Sequence, residues 1–200
     1  MIVKSEVKEI VRIMEDLKVK FYFHAGFGLY LHGFTSELDD CDIRIYHPNI
    51  DLVYNHLKRT YPHEVGMRGP ITFERGTYDN KCIEIANKTS FDICSRMICD
   101  CDIGRFEFPF NPGAFSDVSW LPYCDMNLPV ASLENLFLYY LVLRRSCVDS
   151  KNDEQRIRDI LWSEKFDNQK FENTIPGLPY SDKIQELYCG ALNRCGNLRV

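Results

Sequence analysis

A chain of 200 residues that is 45% hydrophobic and 26% charged has the balance of a folded globular protein, which excludes a disordered or fibrous one. Its formal charge of -5 disfavours nucleic acid as the main partner, because phosphate binding rests on clustered Lys and Arg; Arg144, Arg145, Lys151, Arg156 and Arg158 are the candidates for a local basic groove. No run approaches the roughly 20 apolar residues that span a bilayer, and residues 1–18 lack the apolar core of a signal peptide, so no membrane partner and a cytoplasmic location are expected.

In chain order, residues 5–17 place Val7, Ile10, Val11, Ile13, Met14 and Leu17 at helical spacing, with Ser5 as the expected N-cap and Glu6 and Glu9 near the start. Phe21, Tyr22 and Phe23 read as a short buried strand, broken by Ala25-Gly26-Phe27-Gly28 before a helical segment that ends at His32-Gly33. Residues 41–46 alternate Cys41, Ile43 and Ile45 with Asp42, Arg44 and Tyr46, a strand with two unlike faces. A helix is predicted over 51–58, closed by Pro62, and strands near 71–73, 81–86 and 90–96, the last carrying Asp92. After Pro129 the pattern turns helical: Ser132 is expected to cap 133–145, Asp153 to open 154–162 and Ser181 to open a final helix to about 192. The expected division is an α/β core over 1–128 and a helical region over 129–200.

Nine cysteines, an odd number in a chain large enough to build its own core, predict reduced and mostly buried thiols. Zinc held by Cys94, Cys99, Cys101 and Cys124 is disfavoured by the single-residue gap between Cys99 and Cys101. His24 and His32 are read as structural.

Asp40 and Asp42, two positions apart at the mouth of a strand, project to one side. Carboxylates so placed repel unless they are solvated or share a divalent cation, and an oxygen-only set suits Mg²⁺, which keeps its other positions for water and substrate phosphates. The Gly26-Phe27-Gly28 turn opens a helix whose free backbone N–H groups and positive dipole end favour an anion. Metal on one side and phosphate on the other outline a nucleotide site; solvated loop acids are the plain alternative.

The block over 23–45, with a Gly turn after a strand, a helix, a Thr-bearing loop and Asp-x-Asp on the next strand, resembles the nucleotidyltransferase superfamily that includes DNA polymerase beta. It looks closest to the small aminoglycoside and lincosamide nucleotidyltransferases and their antitoxin-like relatives. Phe91-Asp92-Ile93-Cys94 resembles the strand that carries their third carboxylate, and residues 129–136 and 151–161 are similar to their helix pair.

The resemblance implies a small mixed sheet flanked by helices, with a C-terminal helical portion. It also implies Mg²⁺-dependent transfer of a nucleoside monophosphate from an NTP, ATP above all, to a hydroxyl-bearing acceptor with release of pyrophosphate. Asp40, Asp42 and Asp92 would hold the metal, with Glu84 as the rival third carboxylate, while Gly26, Phe27, Gly28 and Lys151 would receive the phosphates. Phe27 departs from the family pattern, which has a small residue there. If its ring fills the turn, the chain is a catalytically degenerate binding or regulatory module; if the ring enters the core, the turn is open.

Overall fold

The computed structural model describes residues 2–34, 38, 40–78, 82–108, 117–145 and 152–196. The chain begins with α1 (Lys4–Asp16), β1 (Phe21–Phe23), α2 (Ala25–Leu31), β2 (Asp40–Ile45), α3 (Ile50–Thr60) and β3 (Val65–Arg68). It continues through β4 (Ile71–Phe73), β5 (Gly76–Tyr78), β6 (Cys82–Ala86), β7 (Ser90–Cys94), β8 (Ile98–Cys101), β9 (Gly104–Glu107), β10 (Val118–Tyr123) and β11 (Met126–Ala131). It ends with α4 (Leu133–Leu143), α5 (Asp153–Trp162), α6 (Asn168–Thr174) and α7 (Ser181–Gly196).

These elements form two compact units, one from Met1–Pro70, Asn80–Met97 and Phe110–Ser132, the other from Ile71–Asp79, Ile98–Pro109 and Leu133–Val200. The 128/129 division expected from sequence falls inside β11, whose final residues continue the sheet of the first unit.

The first unit is organised on a mixed seven-stranded sheet in the order β10-β11-β1-β2-β7-β6-β3. β1 runs parallel to β11 and β2 parallel to β7, while the other neighbours are antiparallel. Period-2 alternation sends Cys41, Ile43 and Ile45 of β2, Ile83 and Ile85 of β6, and Phe91 and Ile93 of β7 into one core with Val7, Ile10, Val11 and Met14 of α1 and Val53 and Leu57 of α3. The opposite face of these strands carries Asp42 and Arg44 of β2, Cys82 and Glu84 of β6, and Asp92 and Cys94 of β7.

Helix α1 starts one residue before its expected cap. Val3 is the N-cap residue, its N–H donates to Thr89 Oγ1 at 2.7 Å, and the Thr89 N–H donates to the Glu6 carboxylate at 2.7 Å. Glu6 therefore ties the helix start to the β6–β7 connection, and Ser5 lies inside the helix.

In the second unit a four-stranded antiparallel sheet, β4-β5-β8-β9, accompanies the helices. Helix α4 is buried all round, as its apolar sequence requires. Phe137 packs on Phe166, Phe171 and Tyr188 with centroids 4.8, 4.8 and 6.0 Å away, and Tyr139 packs on Phe108 and Tyr78 at 5.7 and 6.4 Å. Ser132, directly before α4, donates its hydroxyl to Asp117 Oδ2 at 2.7 Å. The cap of α5 differs from the one expected. Asn152 caps α5 by accepting from the Gln155 N–H, and Asp153 is its fully buried first residue.

Asp153 pairs with Arg145 at 3.0 Å and Arg156 at 3.4 Å, Arg144 pairs with Asp102 at 2.8 Å, and Arg158 stands over the Trp162 ring at 5.9 Å. The arginines expected to line a basic groove are thus engaged with acids and a ring of their own unit; Lys151 lies outside the described residues.

The reduced state expected for all cysteines is corrected at one pair: Cys82 and Cys94 form a disulfide. They are directly opposed in the β6–β7 ladder with Cα atoms 4.5 Å apart, the spacing of a non-hydrogen-bonded antiparallel pair that lets two sulfurs meet. Cys41, Cys99, Cys101, Cys124, Cys189 and Cys195 are in no disulfide. No described helix is long and apolar enough to cross a membrane.

Candidate functional site

The ladder registers build the site. Asp42 of β2 stands opposite Asp92 of β7, and Asp92 stands opposite Glu84 of β6, so three carboxylates form a row across adjacent strands on the face away from the aliphatic core. Asp40 lies two residues before Asp42 and shares its side of β2. One carboxylate oxygen from each of Asp40, Asp42 and Asp92 lies within 4.8 Å of the others, and all three residues are half-buried. Among the described residues this is the one group of three or more His, Cys, Asp or Glu close enough to share a metal ion. Glu84 is in the row but outside that group, and zinc ligation by the cysteines finds no counterpart among the described residues.

Such crowding is electrostatically costly, and the surroundings show how it is managed. Burial pushes the Asp92 carboxyl above the ordinary aspartate value, the Arg68 guanidinium opposes this, and the charges of Asp40 and Glu84 add to the rise. Arg68 of β3 donates to Asp92 Oδ2 at 2.6 Å and to Glu84 Oε1 at 2.7 Å. Burial and the charges of Asp42 and Asp40 push the Cys41 thiol up, and its side chain lies in the core on the other face of β2, so the set is oxygen only. Oxygen-only donors on one open sheet face fit a hard divalent cation such as Mg²⁺.

The turn after β1 lies beside this row, because the His24 N–H donates to the Asp42 carbonyl at 2.9 Å. His24 is the N-cap residue of α2. Ala25 then takes φ +45°, a left-handed conformation that a residue with a Cβ adopts only at a cost. The Gly28 N–H donates to His24 O at 2.8 Å as the first helical bond, which engages the backbone donor of one of the turn residues expected to meet phosphate.

Phe27 has no solvent-exposed surface. Its ring meets Phe23 at 5.0 Å and Tyr123 at 5.5 Å edge-on and stacks with Tyr30 at 6.0 Å. The side chain enters the core and leaves the turn open, so obstruction by its ring, the ground for a degenerate binding module, is absent. His24 and His32 are buried, and His32 Nε2 lies 2.8 Å from the Ala131 carbonyl, a structural bond between α2 and β11.

Three features of the site escape sequence reading. Arg68 belongs to no motif and reaches the acids from two strands away. The left-handed residue is an alanine, where a glycine would have announced it. The disulfide joins the row next to Asp92 and Glu84, and its signal was the equal offset of Cys82 and Cys94 from the β6–β7 connection.

No family model matches the sequence, and no curated protein matches it. Solved structures do. The lincosamide antibiotic adenylyltransferase LnuA with lincomycin bound is similar with a TM-score of 0.52 at 16% identity, over 80% of this chain and 98% of that one. An antigenic nucleotidyltransferase-like protein from Paracoccidioides brasiliensis is similar with a TM-score of 0.56 at 13% identity, over 98% of this chain and 89% of that one. At such identities the likeness speaks for the fold. With the three-acid group on its central strands, this chain has the nucleotidyltransferase fold.

Proposed function

We propose that this chain is a Mg²⁺-dependent nucleotidyltransferase that moves a nucleoside monophosphate from an NTP, ATP first among them, to a hydroxyl of a small acceptor. The observation that carries the reading is the convergence of Asp40, Asp42 and Asp92, with ligand oxygens within 4.8 Å, on the sheet of a nucleotidyltransferase fold. Asp40 and Asp42 would hold metal through oxygens of one strand, and Asp92 would complete the set on the side of the attacking hydroxyl. Bound there, Mg²⁺ supplies charge neutralisation for the triphosphate and makes an acceptor hydroxyl more acidic.

The chain's own groups position the reaction. Gly26 and the Phe27 backbone receive phosphate oxygens at the start of α2, with the Phe27 ring anchored behind them. Asp92 orients the acceptor hydroxyl, whose oxygen forms a bond to the α-phosphorus as the bond to the pyrophosphate oxygen breaks and the hydroxyl proton passes to solvent water. Position and charge, rather than covalent chemistry, account for the rate. The small acceptor is supported by LnuA, a lincosamide adenylyltransferase of the same fold.

The test is ATP binding by thermal shift with and without Mg²⁺, followed by pyrophosphate release with a panel of hydroxyl acceptors. ATP at a hundred times its Kd stabilises by about 2.7 kcal/mol. Metal-dependent stabilisation with acceptor-dependent pyrophosphate is expected. Stabilisation without pyrophosphate from any acceptor would favour a binding module.

A further inference from the structure

The acid row contains a cation of the chain's own, and its geometry assigns it a task. Arg68 stands at the end of β3, two residues beyond Gly66, which is the residue opposite Glu84 in the β3–β6 ladder. From there one guanidinium nitrogen reaches Asp92 Oδ2 at 2.6 Å and another reaches Glu84 Oε1 at 2.7 Å. A guanidinium is planar with donors in a fixed fork, so acids at two of its nitrogens fix both its plane and its reach. The Asp92 side chain is 12% exposed and that of Arg68 30%, which sets this pair apart from a solvated surface bridge.

The two acids have different positions. Asp92 belongs to the group that converges with Asp40 and Asp42, whereas Glu84 does not. Glu84 is therefore the outer anchor of Arg68, and Asp92 is the group that Arg68 holds. Asp92 Oδ2 accepts from the guanidinium, and a carboxylate oxygen of the same side chain lies within 4.8 Å of ligand oxygens of Asp40 and Asp42.

We propose that Arg68, braced by Glu84, is a positioning residue that presents one oxygen of Asp92 to the Asp40–Asp42 site. This rests on the transferase reading. Arg68 does not touch substrate in this scheme, and it acts through Asp92 alone.

The experiment measures pyrophosphate release from ATP and Mg²⁺ with the acceptor panel for wild type, Arg68→Met, Arg68→Lys, Glu84→Gln, Asp92→Asn and the Arg68→Met/Asp92→Asn double variant. Arg68→Met should lower kcat roughly tenfold to a hundredfold, as small misplacements of reacting groups do, with the KM for ATP within about twofold of wild type. Arg68→Lys, which keeps the charge but not the fork, should recover part of that loss, and Glu84→Gln should lose less than Arg68→Met. In the Asp92→Asn background the Arg68→Met change should cost nothing further, because the group it acts through is gone.

An active wild type with an equally active Arg68→Met overturns the inference alone, as does an Arg68→Met loss of equal size in both backgrounds, which would mark Arg68 as merely structural. A wild type that releases no pyrophosphate with any acceptor overturns the transferase reading, and the inference with it. If Arg68→Met does not fold, Glu84→Gln carries the comparison: kcat falls at constant KM, and an unchanged kcat overturns the inference.

Discussion

Phe27 separates two accounts of the turn before α2 by where one ring lies. It is fully buried among Phe23, Tyr30 and Tyr123. Phe27→Ala should cost about 3–5 kcal/mol, as truncations of buried aromatics do. The Kd for ATP of the folded variant should not tighten. Denaturant unfolding and ATP titration of this one variant give both quantities, and tighter ATP binding at unchanged stability would place the ring at the phosphates instead. At this scale Asp40 and Asp42 were legible because β-strand alternation is strict and puts both on one side of β2, whereas Asp92 came from the resemblance, with Glu84 as its rival. Ala25 and Arg68 were not, since one depends on a backbone angle without a glycine to signal it and the other on a pairing of strands distant in sequence.

At the scale of elements, the β6–β7 hairpin carries the disulfide together with Glu84 and Asp92 of the acid row. Reducing the Cys82–Cys94 bond, which spans a sequence separation of 12, should lower stability by about 3 kcal/mol through the entropy of the unfolded chain. Denatured protein should titrate two fewer thiols before reduction than after; equal counts would show the pair to be reduced. Glu134, in the first turn of α4, offers a pH test. Burial alone would raise its carboxyl, but Lys170 Nζ at 2.9 Å and the Asp167 N–H at 3.2 Å outweigh it and hold the carboxyl below the usual glutamate value. A carboxyl depressed in the folded state contributes stability that is complete above its unfolded value and is lost as pH falls through the folded one. As pH falls through and below the ordinary glutamate range, the wild type should therefore lose stability that Glu134→Gln does not, and parallel curves would contradict the pairing. The hairpin β10–β11 was missed because Pro122 and Pro129 argue against strands and Cys124-Asp125 is not the usual sequence of a two-residue turn; Pro122 stands on an edge strand, where a missing N–H is tolerated.

For the molecule as a whole, sequence periodicity located α1, β1, β2, α3, α4, α5 and α7 to within a few residues, and the mixed sheet with flanking helices followed from the resemblance. It did not locate the four-stranded sheet of the second unit. Of its strands β4 was expected, near 71–73, whereas β5, β8 and β9 are three or four residues long, too short for alternation to be counted, and the pairing of β5 with β8 joins segments of the chain separated by β6 and β7. The gathering of Asp40, Asp42 and Asp92 likewise depends on the parallel register of β2 with β7, which no local pattern encodes. The central claim is that these acids hold the metal that transfer requires. It is tested most directly by pyrophosphate release from ATP and Mg²⁺ with the acceptor panel, comparing wild type with Asp42→Asn at matched melting temperature. Release by the wild type and its loss in Asp42→Asn, with stability equal or higher because a crowded charge is removed, is the predicted result; release at the same rate from Asp42→Asn would contradict it.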